Sequence, residues 1–250
     1  MVEREDRAPV GTFFAPGSWG NRVELGEPAA HHASVKRLAV GDVVRLTSGD
    51  GRRVLGKIAD LTRRTLTVSI EQASVVEVTA PSHITLWAPI GDRDRMLMLA
   101  EKGVELGLSA WQSVSYARSR SVSPRGEGDA FHAKLRHRMI SALEQSGGAW
   151  LPELYYDTSI EVALDGQAMN SAEVHLLLDG AGESMREVLH SIGAPVTVAL
   201  GPEGGLTEAE RALFIRAGWR LVSLGDNVLR FETAGIAALA IVRAHAGGGR

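Results

Sequence analysis

The sequence predicts an α/β chain in two parts: a small N-terminal β-barrel, then a larger domain built on a parallel sheet. Three observations carry this. Residues 10 to about 80 read as short alternating strands. Beyond Pro81, continuous apolar runs alternate with amphipathic helical segments, the pattern of a sheet covered on both faces. No apolar stretch approaches the roughly 20 residues of a membrane span. The expected domains are therefore 1–80 and 81–250. Apolar residues make up 44% and charged residues 23% of the 250, so either part can bury a core.

The first ten residues, "MVEREDRAPV", lack the apolar core of an export signal. With no cysteine there is no disulfide, thiolate metal site or cysteine nucleophile. Both features fit a cytoplasmic protein. The net charge of −3 leaves any nucleic-acid contact to local basic patches.

Within the first part, "DVVRLTSGDGRRVLGKIADL" alternates around a turn at Ser48, Gly49, Asp50 and Gly51, and "TLTVSIEQ" and "SVVEVTA" continue in that style. "PAAHHASVKRLAVGD" is a short helical candidate, with Val35 and Leu38 on one face and Gly41 closing it. Gly51, Gly56 and Lys57 nearly spell a P-loop. Ile58, however, stands where a hydroxyl must hold magnesium, and the surroundings read as hairpin, so nucleotide binding is rejected. His31 and His32 are adjacent on the helix, cannot both face one metal, and have no accompanying ligand cluster.

In the second part the strand candidates are "HITLWAP", "AWQSVSYA", "EVHLLLDG", "PVTVALG" and "RLVSLG". The helical ones are "DRDRMLMLAEKGVELG", "DAFHAKLRHRMISALEQSG", "SMREVLHSIG" and "TEAERALFIRAG". Ligands of such sheets gather at the carboxyl ends of the strands. There "ALGPEGGLTEAE" (199–210) joins a strand to a helix through Gly201, Gly204 and Gly205. Thr207 and Glu210 form a capping box, and Gly218 closes the helix. Glu203 and the lack of Lys or Arg disfavour phosphate. Alone, such glycines more often mark a plain turn than a binding loop. A second loop changes that reading: "VSLGDNVLRFETAGIAALAIV" leaves a strand through Gly225 and enters an apolar helix near Thr233. Two loops at one sheet edge can close over a flat, uncharged group.

"LGPEGGLTEAE" followed by "SLGDNVLRFETAGIAALA" resembles the paired signature of the ribosomal RNA small subunit methyltransferase E family, within the SPOUT superfamily of knotted methyltransferases. "EPAAHHASVKRLAVGD", "EKGVELG", "EQSGG" and "LPEL" extend the resemblance over nearly the whole chain. It implies a PUA-like barrel, a parallel-sheet domain with a trefoil knot, and a homodimer. It also implies S-adenosylmethionine as methyl donor, no metal, and ring nitrogen 3 of a uridine in 16S rRNA of the small ribosomal subunit as acceptor.

The residues suit that chemistry. Adenine needs a narrow apolar slot with backbone hydrogen bonds. Leu200, Gly201, Pro202, Glu203, Gly204 and Gly205 offer one wall, Leu224, Gly225, Asn227, Val228 and Leu229 another, and Leu178 in "LLLDGAG" a third. Methyl displacement from an activated sulfonium mainly requires alignment. The candidate catalytic residues are Arg230, toward the uracil oxygens or a phosphate, and Glu232. The plain alternative makes Glu232 a first-turn carboxylate and Arg230 its surface partner. Uracil nitrogen 3 holds a proton at neutral pH, for which Glu203 and Glu232 are candidate acceptors. Arg118, Arg120 and Arg125 in "SYARSRSVSPRGEG", and Arg136 in "KLRHRM", are candidate RNA contacts or solvated charges. The chain departs from the family pattern at Thr12, Ile90 and Gly148, where basic residues are usual, and at Val104, where threonine is usual. These read as losses from the RNA-facing or active-site side. They leave an RNA target other than this uridine, or a catalytically idle RNA-binding protein, as alternatives.

Overall fold

The computed structural model describes residues 9–119, 125–166, 173–189 and 195–246. The chain divides into two units, residues 1–80 with 140–151, and residues 81–139 with 152–250.

In the first unit, strands β1 (Thr12–Phe14), β2 (Arg22–Leu25), β3 (Val43–Thr47), β4 (Arg52–Leu61), β5 (Leu66–Ile70) and β6 (Val76–Glu77) form one sheet. Its order is β1-β3-β4-β5-β2, with β6 on β4. Only β1 and β3 among these pairs run parallel. The core holds Phe13, Val44, Leu46, Ile58, Leu66 and Val68. The turn expected at 48–51 joins β3 to β4. Gly49 and Gly51 there have φ of +81° and +104°, which side-chain-bearing residues rarely adopt. The near P-loop lies on β4, and a Cβ on Gly56 would sit 2.6 Å from Val68. It is a packed strand with no room for phosphate.

Helix α1 (Glu27–Val35) corrects one expectation. It stops before Leu38, Arg37 taking a φ of 57°, and it buries Ala30 and Ala33 while Val35 faces solvent. His31 is exposed. His32 packs on Phe13, with Nδ1 3.3 Å from Glu144. Glu144 also accepts from the amide of Phe14 at 2.8 Å. Residues 140–151 are held further by Thr47 and Arg53, each donating at 2.9 Å to the carbonyls of Gly148 and Gly147.

In the second unit, β7 (Ile84–Pro89), β8 (Ala110–Ser115), β9 (Glu153–Ser159), β10 (Val174–Ser184), β11 (Val196–Ala199) and β12 (Arg220–Ser223) make one sheet of order β12-β10-β11-β7-β8-β9. Every pairing in it is parallel. The helices are α2 (Arg93–Glu105), α3 (Asp129–Ser146), α4 (Ile160–Gly166), α5 (Met185–Leu189), α6 (Glu208–Arg216) and α7 (Phe231–Ala246), and α3 runs on into residues counted with the first unit. The chain builds outward from β7 to β9, then returns to β7's other side, so β7 and β11 are neighbours at a topological switch point. All four residues of β11 are buried, as its apolar run requires. Trp87, Val114, Tyr116, Leu177, Phe214 and Trp219 pack together in this unit, with the Trp87 and Trp219 rings 4.8 Å apart.

β9 and α4 were not among the expected elements. β9 is the sheet's edge strand, and Tyr155 and Tyr156 on it face solvent, so the apolar periodicity of a buried strand is missing.

Candidate functional site

The loop that leaves β11 turns sharply. The amide of Gly205 donates to the carbonyl of Pro202 at 2.8 Å, and Gly205 has a φ of +71°. Thr207 then starts α6 through the expected capping box: its hydroxyl accepts from the amide of Glu210, and Glu210 accepts from the Thr207 amide at 2.8 Å. Glu210 is buried and its other oxygen accepts from the amide of Ala117 at 2.7 Å. One carboxylate thus ties the helix start to the segment after β8. The second loop leaves β12. The Ser223 hydroxyl bonds both the amide and the carbonyl of Gly225, whose φ is +136°.

Because β10 lies between β11 and β12, the two loops face each other across its carboxyl end. Between them is a cavity of about 840 Å³. Leu178 to Ala181, Leu200 to Glu203, Gly205, Leu206, Val228 to Phe231 and Ala234 supply most of its lining, with Arg95, Glu208 and Arg211. A smaller space of about 200 Å³ shares Leu178, Val228 and Leu229, and adds Leu224, Gly225 and Asn227. Asp179 pairs with Arg211 at 2.8 Å and accepts from the amide of Ala181, fixing the turn after β10. That leaves its charge neutralised at the cavity edge.

Most sequence-predicted residues come together here. Leu178, Leu200, Gly201, Pro202, Glu203, Gly205, Val228, Leu229 and Arg230 line the larger space, and Leu224, Gly225 and Asn227 the smaller. Gly204 does not face the cavity: a Cβ there would lie 3.1 Å from the side chain of Arg118. Glu232 sits in the first turn of α7, buried, with Oε1 3.9 Å from Nε of Arg95. Its Oε2 has no hydrogen-bond partner.

The arginine strip behaves differently from the expectation. Arg118 is turned back onto the first loop and donates to the carbonyls of Gly204 and Leu206. Arg125 pairs with Glu127. Arg136 is exposed on α3, and Arg120 lies outside the described residues.

At the positions that depart from the family pattern, Thr12, Ile90 and Val104 are buried. A Cβ on Gly148 would lie 2.9 Å from Leu143.

Sequence reasoning missed Arg95. It stands in the first turn of α2, where the side chain of Asp92 accepts from its amide at 3.0 Å, and it forms an ion pair with Glu203. Its partners lie more than a hundred positions away, and no local pattern announces such a contact. Among the described residues no cluster of His, Asp and Glu is placed to hold a metal ion. No helix there is long and apolar enough to cross a membrane.

The apolar walls and the close backbone at Gly201 and Gly205 suit a flat ring. Leu178, Leu200, Leu206, Val228 and Leu229 present hydrocarbon to the cavity, and the Val228 side chain is fully exposed. Arg95, Glu203, Arg211 and Arg230 supply charges of both signs around it.

Residues 78–243 match the family described as RNA methyltransferase domain, and residues 25–71 match the RNA methyltransferase PUA domain. The chain is 28% identical over 89% of its length to the ribosomal RNA small subunit methyltransferase E of Rickettsia conorii, covering 90% of that protein. The structure of the enzyme of the same name from Neisseria gonorrhoeae, bound to S-adenosyl methionine, superposes with a TM-score of 0.83 at 27% identity, covering 94% of this chain and 97% of that one. A methyltransferase from Legionella pneumophila, in complex with the same cofactor, gives 0.82 at 28% identity, with 95% and 98% covered.

Proposed function

The chain belongs to the RNA methyltransferase family, and from that premise we propose that it methylates ring nitrogen 3 of a uridine in 16S rRNA, taking the methyl group from S-adenosylmethionine. The observation that carries this reading is the pair of loops after β11 and β12 enclosing one cavity over Leu178. The named activity of the Rickettsia and Neisseria proteins supports it.

The bound donor supplies an activated methyl carbon; this chain's residues supply alignment. Leu178, Leu200, Val228 and Leu229 hold the adenine, with backbone of Gly201, Gly205, Gly225 and Asn227 close against the ligand. Pro202 and Glu203 shape the first wall, and Leu224 begins the second. Gly204 contributes through the carbonyl that Arg118 holds. Arg230, on the cavity wall, is directed at the uracil oxygens, which gain charge as nitrogen 3 loses its proton. Exposed Arg136 and the segment containing Arg120 and Arg125 contact rRNA phosphates.

The remaining family features belong to the same proposal: a homodimer, a trefoil knot within residues 81–250, the domain boundary at Pro81 with 140–151 taken in by the barrel unit, and a cytoplasmic location. The decisive experiment maps modified nucleosides of 16S rRNA by mass spectrometry in a deletion strain with and without complementation. N3-methyluridine that disappears and returns supports the reading. A different modified position names another RNA target, and no change leaves an RNA-binding protein without this activity.

A further inference from the structure

Glu232 is 7% exposed, yet its Oε2 has no hydrogen-bond partner. Leaving a buried carboxylate oxygen bare is costly, so its retention asks for a purpose outside folding. The other oxygen, 3.9 Å from Nε of Arg95, is beyond hydrogen-bond length. Arg95 directs Nη1 to Glu203 instead.

Three elements fix this geometry. Asp92 pins the amide of Arg95 at the start of α2. One turn after Glu232, Gly235 lets α7 close on α2 and on the first loop. A Cβ there would lie 2.7 Å from Leu99 and 2.9 Å from Leu200. Arg95, Glu203 and Glu232 are therefore carried on α2, the loop after β11 and α7, and the packing at Gly235 sets their spacing. One guanidinium between two carboxylates also offsets their mutual repulsion, and Glu232 follows directly on Phe231, which lines the cavity with Arg95 and Glu203.

We propose that Arg95 is a positioning residue that divides the roles of the two glutamates: it holds Glu203 as its ion-pair partner on the donor loop and leaves Glu232 as the proton acceptor for uridine nitrogen 3. The inference rests on the methyltransferase reading above. The uridine N3–H bond breaks and its proton passes to Oε2 of Glu232. The electron pair left on nitrogen 3 forms the bond to the methyl carbon. The carbon–sulfur bond breaks and its electrons stay on sulfur. Glu232 later releases the proton to water. Glu203 is unsuited to this task, being ion-paired and a third exposed.

The test measures kcat at saturating donor and RNA, and separately donor affinity by calorimetry, on folded variants. Glu232→Gln keeps the shape of the side chain and removes the acceptor. It is expected to lower kcat by about 100-fold or more while donor affinity stays within about threefold of wild type. Arg95→Met is expected to lower kcat by about tenfold, Arg95→Lys by less, and adding Glu203→Gln to Arg95→Met to recover part of the loss. That recovery follows because the carboxylate Arg95 no longer holds is then uncharged.

Near-normal kcat in Glu232→Gln overturns the acceptor role. Equal damage in Arg95→Met and Arg95→Lys, with donor affinity lost in both and no recovery in the double variant, makes Arg95 a structural brace and overturns its positioning role. If wild-type protein forms no N3-methyluridine on rRNA, the parent reading fails and takes this one with it. Normal wild-type transfer alongside an active Glu232→Gln variant overturns the acceptor alone.

Discussion

The guanidinium of Arg118 donates through Nη1 to the carbonyl of Gly204 at 2.8 Å and reaches that of Leu206 at 3.4 Å. A residue from the segment after β8 therefore braces the loop after β11. Arg118→Ala is expected to weaken S-adenosylmethionine binding by about three- to tenfold, the scale of a charge-assisted hydrogen bond discounted for its exposure. Calorimetric titration reads it directly. Unchanged donor affinity with weaker rRNA binding would return Arg118 to the phosphate-contact strip.

Gly204 is coupled to the same arginine. A side chain at 204 meets Arg118 at 3.1 Å and does not fill the cavity. Gly204→Val is thus expected to reduce donor affinity by displacing Arg118, and the loss in the Gly204→Val, Arg118→Ala double variant should fall short of the sum of the singles. Strict additivity in the double-mutant cycle rules out this route.

The start of α6 makes a stability prediction. Thr207→Ala removes a capping hydroxyl and is expected to cost about 1 kcal/mol. Glu210→Ala strips buried hydrogen bonds from the amides of Ala117 and Thr207, at about 3 kcal/mol. Urea unfolding of the two variants measures the difference. Equal losses would mean that the Ala117 contact contributes nothing.

His175 gives the pH dependence. Burial lowers its pKa from the usual 6.5, and nearby Glu173 only partly opposes that. The folded protein therefore holds a neutral imidazole that the unfolded chain protonates more readily. Stability from this site is present above pH 6.5 and declines as pH falls below it. In His175→Phe the loss of stability between about pH 7 and pH 5 should be shallower, by up to about 1.4 kcal/mol per pH unit. Parallel curves for the two proteins would sink the assignment.

What the sequence disclosed is mostly local or periodic. The Thr207–Glu210 box and the glycine turn at 48–51 are written within four residues, and β7, β8, β10, β11 and β12 announce themselves as apolar runs. β9 was hidden because an edge strand with outward tyrosines has no buried stripe. Arg95 was hidden because its partners are distant in the chain, and the contact of Arg118 with the first loop was hidden because a serine-flanked arginine looks alike whether it meets phosphate or a loop carbonyl. The burial of Thr12, Ile90 and Val104 was hidden, since one residue's identity does not disclose its surroundings.

The interposition of β10 between β11 and β12 has a metric consequence. Hydrogen-bonded strands repeat at about 4.8 Å, so the two loop-bearing strands stand about 10 Å apart at the root of the cavity. A planar ring touching both walls at van der Waals distance occupies about 7 Å of that interval. The remainder is the thickness left for the walls, which Gly201 and Gly205 line without side chains. The sheet's own repeat thus works as a caliper set to one aromatic ring. Discrimination between ligands begins with thickness, before any charge is read.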